Sequence, residues 1–269
     1  MQLISNYLLS ELFIKNLIEK NYKNINIQKV ILLKRGIYSD IYQLIDINHK
    51  RYVFKIYREQ FKVKQQLELE INIINFLKKR QFYVTEYVKN IFCNFYITID
   101  LFNIERYAVL MNYKIGNKLD FDTEEDISLY ANNIADFHTI GKEFLNFEFL
   151  NSTESLLSNN FLSNMESYII IFMKKDKHIK FFKELFDFIK NYKNKYDIKN
   201  LSKNIIHGDL HGGNCLKINN NNNLLFMDFD FCNYDYLLID VSTYYWSCII
   251  RKKQNEWEIF IKEYIKNWH

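Results

Sequence analysis

The chain has 269 residues, 48% of them hydrophobic and 17% aromatic, with a formal net charge of +4 at pH 7 and no proline. That length can bury a sizeable core in one large or two modest domains. The charges are interspersed with no long single-sign block, so neither a nucleic-acid nor a membrane partner is expected. Cys93, Cys215, Cys232 and Cys248 show no C-x-x-C spacing, which predicts free thiols in a reducing compartment. The start, M-Q-L-I-S-N-Y, lacks a basic leader and a small-residue cleavage site. The longest apolar run elsewhere, Tyr168 to Met173, falls far short of a membrane span. The expected location is cytoplasmic.

Apolar residues from Leu3 to Ile18 recur at helical spacing and predict an amphipathic opening helix. The period then changes. Residues 25–33, 38–47 and 51–57 read as three strands rich in Ile, Val and Tyr, and the short turns between them predict an antiparallel sheet. In the turn G-I-Y-S-D-I-Y, Gly36 permits close backbone approach to an anion, and Ser39 offers phosphate a hydroxyl or an amide. A lone glycine between strands is also an ordinary turn residue.

Lys55, in Y-V-F-K-I-Y, shares one strand face with Val53 and Tyr57. Turned to solvent it is a common edge lysine; turned to a cleft, its ammonium can meet nucleotide phosphates, provided a carboxylate orients it. In the helix predicted over 61–80, Glu70 borders the stripe of Ile73, Ile74 and Leu77 and is preferred to Glu68 for that task. Two further strands, 90–100 and 106–113, complete a sheet of about five. Beyond it, Thr123 and three following acids open a helix to Thr139, whose His138 reads as a packing histidine. Two helices are predicted around 156–174 and 177–196, and two more close the chain at 240–250 and 255–268.

The most informative stretch is Ile205 to Phe231. Apolar runs 214–218 and 224–227 flank a polar asparagine turn and predict a β-hairpin, with His207, Asp209 and Asn214 before its first strand and Asp228 and Asp230 after its second. Antiparallel pairing predicts both polar sets at one end. Phosphoryl transfer needs a carboxylate beside the attacking hydroxyl and oxygen ligands that hold magnesium against the phosphates. Asp209 suits the first task; Asn214 and Asp228, one neutral and one charged oxygen donor, suit the second. The order base, amide, metal carboxylate is that of the kinase H-R-D-x-x-x-x-N and D-F-G pair.

H-G-D-L-H-G-G-N followed by M-D-F-D-F resembles the aminoglycoside phosphotransferase and choline kinase family of small-molecule kinases. The resemblance implies that Asp209 is the catalytic base, that Asn214 and Asp228 are magnesium ligands and that His207 supports the loop. It also favours Lys55 with Glu70, makes Asp240 a structural anchor, and identifies V-L-M-N-Y-K-I-G as a hinge holding adenine through backbone groups, with Met111, Asn112 and Tyr113 on the adenine side. Gly213 stands where the family usually has proline, implying a freer loop, and Asp230 where relatives often have glycine or another acid.

Other readings fit parts of the same pattern. His207, Asp209 and His211 alternate and could bind a transition metal, but Gly208, Gly212 and Gly213 break the strand this requires. A glycine-rich turn bonding its own backbone accounts for Asp209 and Asn214 but not for Asp228 across the hairpin. A protein kinase would carry A-P-E after Asp228. A kinase-shaped binding protein without turnover is the alternative from another class.

The expectation is therefore an α+β, two-lobed, protein-kinase-like fold: an antiparallel sheet lobe over 1–111, a hinge to 116 and a mainly helical lobe over 117–269. The expected activity is transfer from ATP or another nucleoside triphosphate, with Mg2+, to a hydroxyl of a small-molecule acceptor such as an amino alcohol, homoserine, sugar or aminoglycoside.

Overall fold

A computed structural model describes residues 9–59, 61–101, 103–144, 155, 157–172, 175–196, 200–218 and 223–268. In chain order the elements are α1 (Glu11–Asn21), β1 (Ile27–Arg35), β2 (Ser39–Asp46), β3 (Arg51–Tyr57), α2 (Lys64–Lys79), β4 (Tyr96–Leu101), β5 (Ile104–Asn112) and α3 (Glu124–Gly141). There follow α4 (Asn159–Phe172), α5 (Asp176–Lys195), β6 (Lys203–Ile206), a 3-10 turn (Gly212–Asn214), β7 (Cys215–Ile218), β8 (Asn223–Phe226), β9 (Asn233–Tyr236), α6 (Leu238–Arg251) and α7 (Gln254–Asn267). The fold is α+β. Residues 3–8 of the expected opening helix, residues 219–222 of the asparagine run, and Leu156, Met173 and Lys174 lie outside the described residues.

The chain forms two compact units. One runs to Leu119 and takes back Cys215–Asp228; the other comprises Asp120–Asn214 and Phe229–His269. The sequence suggested a single division at 111–116. The hairpin departs from that scheme because β8 is laced to the segment after α2, through a parallel bridge between Val84 and Phe226.

In the first unit all neighbouring strands are antiparallel, in the order β1-β2-β3-β5-β4. Strand alternation sorts β3 cleanly. Tyr52, Phe54 and Ile56 enter one core with Leu44, Leu110 and, from α1, Ile14 and Ile18. Each fully buried aliphatic or aromatic side chain contributes roughly 1.5–3 kcal/mol. On the opposite face Tyr57 packs with Val109 and with Leu67 and Ile71 of α2. Ser10 caps α1, its hydroxyl accepting the Phe13 N–H at 3.2 Å.

In the second unit Thr123 caps α3, accepting the Asp126 N–H at 3.3 Å. The rings of Tyr130, Tyr244 and Phe260 pack together, with centroids 4.9 Å apart for the first two and 4.2 Å for the last two. Beneath them Glu256, 3% exposed, accepts the Tyr244 hydroxyl at 2.5 Å and two bonds from Arg251 at 2.7 and 2.5 Å. The β6–β9 pairing was not anticipated; four-residue strands rich in Asn and Asp carry almost no alternation. Among the described residues no helix is long and apolar enough to cross a membrane.

Arg251→Met would strand the Glu256 carboxylate among apolar rings. We expect a loss of about 2–3 kcal/mol, below the figure for a fully enclosed pair because the guanidinium reaches solvent, measured by denaturant unfolding. An unchanged midpoint would refute the role given to this pair.

Candidate active site

In the first unit Lys55 lies on the α2-facing side of β3, opposite Ile41 and Val109, and is 5% exposed. Its Nζ donates to Oδ1 of Asp228 at 2.6 Å. Asp228 follows β8 with φ 66°, a left-handed conformation that aspartate tolerates better than most side chains. The hairpin is fixed where it enters this pair: Thr85 N–H donates to Phe226 C=O at 3.0 Å, Phe226 N–H donates to Tyr83 C=O at 2.9 Å, and the Phe82 and Phe226 rings stack at 5.4 Å. Residues 173 positions apart thus meet.

Glu70, on the inner side of α2, is 1% exposed. It is bonded by Lys62 Nζ at 2.5 Å and accepts the Tyr57 hydroxyl at 3.2 Å and the Tyr87 hydroxyl. The sequence paired Glu70 with Lys55; the cation the structure sets against Glu70 is Lys62, while Lys55 meets Asp228. Nothing in F-K-V distinguished Lys62 from the chain's other cations.

Gly36 and Ser39 bracket a closed turn in which Gly36 N–H donates to Ser39 C=O at 2.8 Å. A Cβ on Gly36 would stand 2.9 Å from that oxygen, so the turn needs glycine. Ser39 is buried and opens β2. Beside it Asp40 accepts from Arg58 Nη2 at 3.1 Å. Met111 and Asn112 end β5, and Tyr113 follows. Asn112 N–H donates to Glu86 C=O at 3.0 Å and Tyr113 N–H to Arg51 C=O at 3.2 Å, so both amides are committed to protein partners. A cavity of about 500 Å³ lies beside Asn112 and Tyr113, lined also by His49, Lys50 and Arg51.

The second unit holds the loop His207–Asn214. Buried Asp240, in the first turn of α6, accepts the N–H of His207 at 2.7 Å and of Gly208 at 2.8 Å, and faces His138 Nε2 at 3.2 Å. With that nitrogen donating, His138 Nδ1 accepts the Tyr264 hydroxyl at 2.9 Å. His138 is therefore architectural, and Asp240 anchors the loop. His207 is fully buried with its ring 4.4 Å from that of Phe229, and its Nδ1 accepts the Asp209 N–H at 3.4 Å. These contacts spend His207 on loop support rather than metal ligation. Gly208 has φ 80°, and a Cβ there would meet Phe231 C=O at 2.2 Å, so the loop requires glycine.

Asp209 keeps a partly exposed carboxylate. Asn214 Nδ2 donates to its C=O at 2.9 Å and to its Oδ2 at 3.1 Å. His211 Nε2 lies 3.6 Å from Oδ2. A hydrogen bond with His211 holds the Asp209 carboxyl below its ordinary range, partial burial opposes this, and the Asn214 amide assists. Asp209 is therefore an anion at neutral pH. Where a freer loop was expected at Gly213, its N–H donates to His211 Nδ1 at 3.0 Å, a bond proline cannot make.

The donor chemistry fits magnesium. Asn214 spends its Nδ2 on Asp209, so what it can offer a cation is Oδ1. Asp228 is a carboxylate whose side chain is 37% exposed. Each by itself offers an oxygen of the kind a hard ion prefers. Among the described residues no group of three or more His, Cys, Asp or Glu converges as a softer metal would need.

A family profile described as the phosphotransferase enzyme family matches residues 29–268. No curated protein sequence matches the chain significantly. Among solved structures, amicoumacin kinase hAmiN in complex with AMP-PNP, Ca2+ and Ami superposes with TM-score 0.79 at 14% identity, covering 97% of this chain and 77% of that one. The microcompartment-associated aminopropanol kinase gives 0.67 at 14% identity over 96% and 82%. Choline kinase from Cryptosporidium parvum Iowa II gives 0.65 at 16% identity over 96% and 79%.

Asp240→Asn turns one acceptor oxygen into a donor facing buried N–H groups. It should cost about 2–3 kcal/mol, read as a lowered thermal midpoint together with loss of any activity dependent on the 207–214 loop. A variant of wild-type stability would show that the loop is anchored elsewhere.

Proposed function

The chain belongs to the phosphotransferase enzyme family, and on that premise we propose that it transfers the terminal phosphoryl group of ATP, or another nucleoside triphosphate, to a hydroxyl of a small molecule. The observation that carries this reading is the 2.6 Å pair between buried Lys55 and Asp228. A lysine that deeply buried needs an anionic partner, and the nucleotide phosphates are the anion that the family's reaction brings to it.

Asp209 is the catalytic base in this reading. As an anion it accepts, or orients, the proton of the attacking hydroxyl. Asn214, through Oδ1, and Asp228 are the magnesium ligands; when bound, the ion neutralises phosphate charge. Lys55 braces the phosphates, Glu70 helps to orient it, and Gly36 and Ser39 form the turn that covers the phosphates. Met111 and Tyr113 border the base; because the Tyr113 N–H is already committed to Arg51, this edge contributes through side chains and other backbone groups. Two solved relatives are named for aminopropanol and choline, so amino alcohols head the acceptor candidates, ahead of homoserine, sugars and aminoglycosides.

Asp209→Asn removes the proton acceptor while keeping the shape of the side chain. Turnover should fall roughly 10²- to 10⁴-fold, with nucleotide affinity by calorimetry within about threefold of wild type. The assay measures nucleotide consumption across the acceptor panel with magnesium present. Undiminished turnover in the variant would remove Asp209 from the reaction, and silence of the wild type across the panel with nucleotide still bound would favour a binding role.

A further inference from the structure

Lys62 plays no part in the reaction as outlined, yet it is one of the most deeply buried charges in the first unit. Its side chain is 2% exposed and that of Glu70 1% exposed, and the two meet at 2.5 Å. Desolvating such a pair is expensive, and packing alone is better served by apolar side chains of the same volume. The geometry connects the pair to Lys55 through one ring. Tyr57 sits two positions after Lys55 on the same strand face, and its hydroxyl donates to Glu70 at 3.2 Å. Lys55 Nζ lies 5.3 Å from the centre of that ring and Lys62 Nζ 5.6 Å. Tyr57 is therefore held at its hydroxyl by the carboxylate that Lys62 neutralises, while its ring lies against both ammonium groups.

We propose that Lys62 is a positioning residue of the nucleotide site: it compensates and holds Glu70, Glu70 holds Tyr57, and through these Lys55 is kept available to Asp228 and the phosphates. This rests on the reading of Lys55 as the phosphate brace. Without Lys62, Glu70 is a buried carboxylate short of a cation and draws on Lys55, the other ammonium against the Tyr57 ring. Nucleotide binding then weakens without any loss of a direct phosphate contact. The segment carrying Lys62 is itself tied to the phosphate turn. Arg58 N–H donates to Tyr38 C=O at 2.8 Å, and the rings of Tyr38 and Phe61 stack at 4.1 Å.

The test is a double-mutant cycle on the full chain, with calorimetric binding of a nonhydrolysable ATP analogue as the readout. Lys62→Met should raise the nucleotide Kd on the order of tenfold, the scale of one charged hydrogen bond, while Lys62→Arg largely restores it. Lys55→Met should also weaken binding, and the double variant should be no weaker than Lys55→Met alone, because Lys62 acts through Lys55. Additive losses would mean that Lys62 acts independently, which overturns the proposal, as would a folded Lys62→Met with unchanged Kd. Unchanged affinity in Lys55→Met would overturn the phosphate-brace reading and this proposal with it. Should Lys62→Met not fold, Lys62→Gln, which keeps a neutral donor for Glu70, carries the same cycle and the same outcomes.

Discussion

A lysine cannot stay charged at 5% exposure unless something in the fold answers it, and the requirement that Lys55 be met by Asp228 shapes much of the first unit. The partner lies 173 residues away, so the chain must leave the sheet unit, build the second unit, and return as a hairpin. The hairpin's return strand must also end two residues short of position 228, and hydrogen bonds to Tyr83 and Thr85 fix it there. Asp228 accepts a left-handed backbone at its own position. Such conformations cost on the order of 1 kcal/mol outside glycine, and a charge-assisted bond of about 1.5–3 kcal/mol offsets that cost.

The second unit meets a different constraint. The 207–214 segment must keep a carboxylate in solvent reach while following a path no regular element offers. Its geometry is imposed through the backbone: Asp240 takes two consecutive N–H groups, Gly208 occupies φ 80° against the Phe231 carbonyl, and Gly212 leaves no room for a Cβ beside the Phe121 ring. Asp209 and His211 themselves remain partly exposed. The same principle accounts for Gly213. Its N–H sets the His211 ring, with Nδ1 accepting and the protonated Nε2 turned toward Asp209.

The five-stranded sheet, the helix carrying Glu70, the hairpin and the closing helices were legible in the sequence because their signals are local: alternation, helical spacing, a capping threonine, a polar turn between apolar runs. Strand phase put Lys55 on one face with Val53 and Tyr57 but left open whether that face met solvent or a cleft. The pairing of charges did not follow. Alternation says which face Lys55 occupies, but whether Asp228 or Glu70 stands within 3 Å of it depends on where a distant hairpin docks, and that is set by Phe82 and Phe226. Lys62 was invisible for a related reason: it fell inside the helix predicted over 61–80, whereas the structure begins α2 at Lys64 and leaves Lys62 outside its period. The short β6–β9 pair failed on length, four residues being too few for a pattern to rise above composition.

The two halves of the proposed reaction center on charges treated in opposite ways. Lys55, Lys62 and Glu70 are sealed from water, where electrostatic interactions are strong and reorganisation is small; this suits a highly charged nucleotide whose phosphates are the same whatever the acceptor. Asp209 stays partly exposed with its carboxyl held anionic by His211, which suits a group that must meet hydroxyls of differing shape and exchange protons with solvent. The burial that makes the nucleotide side precise would make the acceptor side exclusive. If the proposed roles hold, the acceptor could change through the helices of the second unit while the ion pairs of the first stay as they are.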